Sequence, residues 1–234
     1  MEQRNSRKEH GSSQYRRYCR GERLALVGMG PAGVPTRLLP AHFGSCWTYA
    51  GEAVAPGQID LDRMCREFAY REISESTVVY GVLGKPIGHS ISPAMHNAAL
   101  HAAGLNAVSL PLEAADIDDF EEFSRGIRLS GVSITAPFKE IVTSRIEDLD
   151  PIAKAVGAVN TLRIERMKWV GYNTDVGGFL APLTERLALK GVRSTVLGAG
   201  GAARAVAWGL ASKGAVVSVC ARRQDQAETL CREL

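Results

Sequence analysis

No apolar stretch in this chain is long or clean enough for a membrane helix. The run from Ala205 to Val217 contains Lys213 and the other long runs are interrupted too, whereas a bilayer needs roughly 20 apolar residues. Arg20 and Arg23 stand before the apolar Leu24–Val34, but Gly28, Gly30, Pro31 and Gly33 break up any signal-peptide core. Cysteine is sparse: Cys19, Cys46, Cys65, Cys220 and Cys231 are odd in number, widely spaced and form no C-x-x-C pair, which argues against a zinc ribbon or thioredoxin-like chemistry. We expect reduced thiols in a cytoplasmic protein. Excess charge is also scarce. The net +3 is concentrated in residues 1–23, where Arg4, Arg7, Lys8, Arg16, Arg17, Arg20 and Arg23 face only Glu2, Glu9 and Glu22. A basic, solvated, disordered tail on a nearly neutral body offers no basic patch interleaved with aromatics, so no nucleic-acid partner is expected. No internal repeat is present.

What remains is ordinary globular sequence, 234 residues with 45% hydrophobic and 23% charged, enough for one large or two modest domains. Residues 24–59 are rich in Gly and Pro, and the short apolar runs Leu24–Gly28 and Cys46–Ala50 read as strands between loops. They are too few to make a domain alone. Residues 60–77 read as a linker with a short amphipathic helix, because Leu61, Met64, Phe68 and Tyr70 are separated by charges.

From Val78 the pattern alternates between strand and helix, the signature of an α/β sheet with parallel strands and crossover helices. Strands are expected at Val78–Leu83, Ala107–Pro111, Gly131–Thr135, Ala158–Ile164, Ser194–Leu197 and Ala215–Cys220. Helices are expected at Ser92–Ala103, Asp116–Arg125, Pro151–Ala155, Val176–Leu189 and Ala202–Lys213. Ser92 before Pro93 predicts a capped helix start.

The sharpest motif is Val196-Leu197-Gly198-Ala199-Gly200-Gly201-Ala202-Ala203-Arg204, a strand running into a glycine turn and a helix. Gly198 suits the tight turn, Gly200 lets backbone approach a pyrophosphate, and Ala203 allows close helix packing. A plain strand-to-helix turn is the alternative, against which the following strand, ending at Cys220, argues. After that strand, where an NAD site would place Asp or Glu, stand Ala221-Arg222-Arg223. Two guanidinium groups suit a 2′-phosphate and favour NADP over NAD, the alternative being a solvated strand end.

Three further segments stand at strand ends: Gly84–Asn97, Ser133–Lys139 and Gly171–Asp175. Ser90 and Ser92 either donate to a substrate carboxylate near a helix N-terminus or serve only as caps. His89 and His96 lack a third metal-like ligand nearby, so no metal site is expected. Ligands of open α/β sheets gather outside the carboxyl ends of strands, which makes Lys139 and Asp175 candidates for one cleft. There an amine beside a carboxylate can exchange a proton with an alcohol or ketone while hydride moves to or from a nicotinamide. Taken singly, each also reads as plain surface.

These residues together resemble the shikimate dehydrogenase family. From Val78 to Leu234 the chain shows, in that family's order, G-x-P-x-x-H-S-x-S-P-x-x-H-N from Gly84, T-x-P-x-K from Thr135, G-A-V-N-T from Gly157, N-T-D from Asn173 and G-A-G-G-A from Gly198. The resemblance implies NADP-dependent reduction of 3-dehydroshikimate to shikimate, on the route to chorismate and the aromatic amino acids. It implies that Ser90 and Ser92 hold the substrate carboxylate and that Thr135, Asn160 and Asp175 bind its hydroxyl face. Lys139 would be the acid/base residue, oriented by Asp175, and Gly198, Ala199, Gly200, Gly201, Ala202 and Arg222 would bind NADP. The fold it implies is a substrate-binding α/β domain at 78–190 followed by a Rossmann domain from 191. The 42 residues from Arg193 to Leu234 are fewer than the roughly 100 of a doubly wound nucleotide domain, so we expect 191–234 to be a partial one. Ser133 stands where the bacterial family usually has Asn.

Residues 24–59 resemble the last strands of type I 3-dehydroquinate dehydratase, a (β/α)8 barrel that precedes shikimate dehydrogenase in some bifunctional proteins. Gly28-Met29-Gly30, Thr36-Arg37, Phe43-Gly44-Ser45 and Ala55-Pro56-Gly57-Gln58 carry that likeness. It implies carboxylate binding by Arg37 and a lid position for Gln58. Val54 replaces the usual lid serine, and the Schiff-base lysine and its histidine belong to strands that this chain lacks, so no dehydratase activity is expected. The other readings are an inactive fragment or shikimate-binding module of such a fusion, and a quinate/shikimate dehydrogenase.

Overall fold

The computed structural model describes residues 24–52, 54–166 and 168–233; the basic tail expected at 1–23 lies outside them. The chain divides into two compact units between Val132 and Ser133, a break that falls within the 78–190 stretch read as one domain. Among the described residues no helix is long and apolar enough to cross a membrane.

In the first unit, β1 (Val78–Leu83) and β2 (Ala107–Leu112) pair in parallel, with Val78 opposite Ala107 and Leu83 opposite Leu112. Between them runs α3 (Ser92–Ala102), as a parallel pair requires a crossover connection. Val79, Val82, Leu83, Val108, Leu110 and Leu112 are all buried. In α4 (Ile117–Gly126), Asp116 caps the start by accepting from Asp119 N at 2.9 Å, and Ile117, Phe120 and Ser124 form the buried face. Asn97, 1% exposed on α3, donates from Nδ2 to Ser109 O at 2.9 Å and accepts on Oδ1 from Ser109 N at 2.7 Å. One amide thus satisfies both backbone groups of a residue in the middle of β2.

Residues 24–59 lack the two strands expected there. Leu24–Gly28 and Cys46–Ala50 carry no strand ladder; Cys46 N donates to Leu24 O, but the Leu26 N–H goes to Ser45 Oγ at 2.8 Å. A hydroxyl that takes a backbone donor competes with ladder formation. The segment folds instead as a 3-10 turn at Pro31–Gly33, α1 (Val34–Leu38) and a second 3-10 turn at Pro40–Phe43. Leu38 and Leu39 are fully buried, α1 packs on β2, and the Phe43 ring stacks on Phe123 of α4 at 6.4 Å. The segment is therefore part of the first unit. Next, α2 (Leu61–Arg66), capped by Asp60 and burying Met64, forms the helix expected in the linker.

The chain passes through the division in β3 (Gly131–Ile134). In the second unit, α5 (Phe138–Ile141) and β4 (Asp148–Leu149) precede α6 (Pro151–Val156). Then β5 (Thr161–Glu165) and β6 (Lys168–Tyr172) form an antiparallel hairpin, with β4 parallel to β6. The sheet is mixed, which corrects the expectation of parallel strands. Two residues join β5 to β6, and a connection that short can only reverse the chain. The strand expected from Ala158 starts three residues later, because Asn160 and the buried Ala158 and Val159 belong to a loop.

Helix α7 (Asp175–Thr184) ends before the expected Leu189. Pro182 removes a helical donor, and the Thr184 hydroxyl donates back to Leu180 O at 2.9 Å. The remaining elements are β7 (Arg193–Leu197), α8 (Gly201–Ser212), β8 (Val216–Cys220) and α9 (Gln224–Glu233), with β7 and β8 parallel. Val156, Val176, Leu180, Val196, Ala205, Leu210 and Leu230 join these helices and strands in one core.

Asn97→Ala would leave the N–H and the carbonyl of Ser109 buried and unpaired. We expect a loss of about 2–4 kcal/mol in urea unfolding, from two groups that each cost some 1–3 kcal/mol.

Candidate active site

The second unit holds Lys139, Asp175 and Asn160 in one hydrogen-bonded group. Lys139 lies one residue into α5, after the buried Phe138, and its Nζ donates to Asp175 Oδ2 at 2.5 Å. The other oxygen, Oδ1, accepts from Asn160 Nδ2 at 2.7 Å. The side chains of Lys139 and Asp175 are 16% and 30% exposed, so the pair is shielded yet reachable. Asp175 opens α7, where a carboxylate interacts favourably with the helix dipole.

Backbone bonds fix the amide that orients this carboxylate. Asn160 N donates to Tyr172 O, and Asn160 O accepts from Ile134 N at 2.7 Å. Its Nδ2 also donates to Thr174 Oγ1 and its Oδ1 accepts from Thr174 N, both at 2.9 Å. Val159 N donates to Lys139 O at 2.8 Å, so the Asn160 loop is tied to the backbone that carries the lysine. Behind it, the buried Asn173 donates from Nδ2 to Ala158 O at 2.9 Å and accepts on Oδ1 from Val176 N at 3.3 Å.

Asp150 supports the group from below, and the sequence reading assigns it no role. Its carboxylate caps α6 by accepting from Ile152 N and Ala153 N, and it takes Asn173 N at 3.1 Å. Asp before Pro151 at a helix start was the available signal. Thr135 is half-buried directly after β3, with its carbonyl accepting from Phe138 N.

The glycine turn follows β7. Gly198 has φ +115 and donates its N–H to Cys220 O at 2.8 Å, a backbone state that a residue with a Cβ rarely adopts. Ala199 and Gly200 lead into α8, which starts at Gly201 and continues through Ala202, and no side chain caps its first N–H groups. Uncapped donors at a helix start, reached through glycines, fit a diphosphate. Arg222 is exposed just beyond β8, a position that suits a 2′-phosphate.

Ser90 and Ser92 lie in the first unit, both half-buried. The cap expected of Ser92 is not formed: Ser92 is the first helical residue of α3 and its N–H goes to Ser90 Oγ at 3.2 Å. Ser90 stands two residues ahead of the helix and can reach that donor, whereas Ser92 is already inside the turn that it would cap. His96 Nδ1 lies 3.4 Å from Ser109 Oγ.

Chemically, a lysine held by a carboxylate, which is itself oriented by an amide, can as the ammonium give a proton to a carbonyl oxygen and as the neutral amine take one from a hydroxyl.

Residues 82–162 match the family described as shikimate dehydrogenase substrate binding domain. The shikimate dehydrogenase (NADP(+)) of Anaeromyxobacter sp. (strain Fw109-5) is 44% identical over 164 residues, which cover 69% of this chain and 59% of that protein. The chloroplastic bifunctional 3-dehydroquinate dehydratase/shikimate dehydrogenase of Arabidopsis thaliana is 33% identical over 231 residues, covering 90% of this chain and 38% of that one. Among solved structures, the shikimate dehydrogenase of Aquifex aeolicus superposes with a TM-score of 0.64 at 39% identity, over 69% of this chain and 62% of that one. The Thermus thermophilus enzyme, solved with NADP(H) and shikimate, gives 0.59 at 37% identity, over 67% and 60%. The chain thus spans about three-fifths of the length of the single-function relatives it matches.

Asp150→Ala removes a helix cap and a bond to Asn173, and we expect it to cost about 1–2 kcal/mol by urea denaturation. Asp150→Asn, which keeps an acceptor oxygen, retains most of that stability.

Proposed function

We propose that this chain, a member of the shikimate dehydrogenase family through residues 82–162, interconverts 3-dehydroshikimate and shikimate with NADP. The observation that carries this reading is the Lys139–Asp175–Asn160 group, with contacts of 2.5 and 2.7 Å. NADP supplies hydride exchange at the carbon that bears the reacting oxygen. In the reductive direction Lys139 gives its proton to that oxygen, and in the oxidative direction it takes the hydroxyl proton. Asp175 holds the amine in place and Asn160 holds Asp175, so the lysine does not have to be ordered at the moment of reaction.

The remaining assignments follow from the sequence motifs. Ser90 and Ser92 take the substrate carboxylate, and Thr135, Asn160 and Asp175 take its hydroxyl face. Gly198, Ala199, Gly200, Gly201 and Ala202 hold the diphosphate, with Arg222 on the 2′-phosphate. Residues 78–190 act as the substrate-binding domain and 191–234 as Rossmann-type NADP-binding sequence, in a cytoplasmic enzyme with small-molecule partners. Residues 24–59 are dehydratase-type sequence, joined by 60–77. In support, the similarity to the bifunctional plant protein extends over 90% of the chain, against 69% for the single-function relative. Arg37 is 3% exposed, with its Nε unpaired among the described residues and Nη2 at 3.4 Å from Gly28 O. A buried cation of that kind fits its proposed descent from a carboxylate site.

The decisive experiment gives the purified chain shikimate and NADP and follows NADPH absorbance, with shikimate binding measured by calorimetry. Turnover is expected, and Lys139→Ala should lower it by about 10²–10⁴, the range for loss of a general acid/base, while binding persists. Wild-type turnover in Lys139→Ala would overturn the lysine's role. Shikimate binding without turnover in the unaltered chain would instead mark a binding module. Arg222→Ala should raise the Kd for NADP about tenfold, as loss of a charge-assisted contact does, and leave that for NAD nearly unchanged; equal changes would reject the phosphate contact.

A further inference from the structure

Gly201 is the one glycine of the turn to which the motif reading gives no mechanical task. Its φ is not in the left-handed region, so its backbone does not call for glycine. Space does. A Cβ at position 201 would stand 2.7 Å from Lys139 Cβ, 3.1 Å from Lys139 Cδ and 3.5 Å from Ala158 Cβ. The lysine stem runs across the bare first turn of α8, with the Ala158 side chain beside it. At Gly200 the equivalent atom would meet only Glu140 Oε1, at 3.7 Å, an ordinary contact.

One turn further on, Arg204 reaches the end of α6, ahead of the loop that carries Asn160. Its side chain is 14% exposed and pairs with Glu233 of α9. Its Nε donates to Val156 O at 2.8 Å, one of the carbonyls left open at the end of α6. Gly157 follows in the left-handed conformation, φ +68, and a Cβ there would stand 2.8 Å from Arg204 Nη2. Three residues beyond lies Asn160. The first turns of α8 therefore touch both the stem of Lys139 and the start of the loop that orients Asp175.

We propose that Gly201 and Arg204 are positioning residues for Lys139: the helix start that is to carry the diphosphate also sets the lysine amine against Asp175. The mechanism is steric at Gly201 and hydrogen-bonded at Arg204. The lysine Cβ belongs to the rigid end of its side chain, so a methyl group at 201 displaces α5 rather than a mobile tip. This rests on the acid/base reading of Lys139, but its test does not require turnover.

The experiment is trace acetylation of the 234-residue chain with acetic anhydride, read lysine by lysine in the mass spectrometer, with the exposed Lys154, Lys190 and Lys213 as internal references. Relative to these, Gly201→Ala should raise labelling of Lys139 severalfold, and Gly200→Ala should leave it at the wild-type level. Arg204→Ala should raise it as well, and Arg204→Lys, which keeps a donor for the Val156 carbonyl, should bring it back toward wild type. Unchanged labelling in Gly201→Ala, or an equal rise in Gly200→Ala, overturns the steric role. Equal labelling in Arg204→Lys and Arg204→Ala overturns the hydrogen-bonded one. Far-UV circular dichroism verifies the fold of each variant, and the Arg204 pair still tests the coupling where Gly201→Ala does not fold. Loss of shikimate turnover in the unaltered chain would strike the dehydrogenase reading and leave these ratios as they are.

Discussion

The carboxylate of Asp175 is shared between two partners, and the site is organised around that sharing. One oxygen receives the Lys139 amine and the other the Asn160 amide. A lysine has four rotatable bonds and a strongly hydrated head, so left alone it samples many positions. Asp175 fixes the head and the packing around Ala158 and Gly201 fixes the stem. Asn160 in turn is locked by backbone bonds to Tyr172 and Ile134. The chain of constraint leads from the β5–β6 hairpin and β3 through one amide to one carboxylate to one amine.

The same logic of satisfied polar groups shapes the supporting structure. Asn97, Asp150 and Asn173 each use a short side chain to close backbone groups that helices and strands leave open. Burying such groups unpaired costs more than pairing them gains, so a few asparagines and aspartates fix how elements meet. Asp150 links the cap of α6 to Asn173, and Asn173 links the start of α7 to the loop before Asn160. Helix capping and placement of the site are one network in this unit.

Residues 24–59 show the converse. Their apolar residues bury well, Leu38 and Leu39 fully, through α1 on β2 and Phe43 on Phe123, but their backbone builds no sheet. A strand needs a neighbour for its ladder, and here Ser45 takes the Leu26 donor. The segment packs into the first unit through its apolar side chains, with no strand pairing at Leu24–Gly28 or Cys46–Ala50.

Local signals were enough for most of the elements. The apolar run Val78–Leu83 and the helix starts at Asp116 and Pro151 are legible within a few residues, because period and helix-start residues are short-range properties. The glycine turn between β7 and α8 was legible for the same reason, since its backbone needs are written into Gly198. Strand β6 was not among the expected strands, so its antiparallel pairing with β5, and with it the mixed sheet, came only from the structure. Lys139 and Asp175 could be named as candidates, but their meeting across 36 residues is a tertiary event. The sequence by itself determined which side chains can hold a proton, a carboxylate or a phosphate. Only the tertiary structure decided that Lys139, Asp175 and Asn160 share one set of hydrogen bonds and that the bare start of α8 lies against the lysine stem. Contacts between residues far apart in the chain depend on packing, which local pattern does not encode.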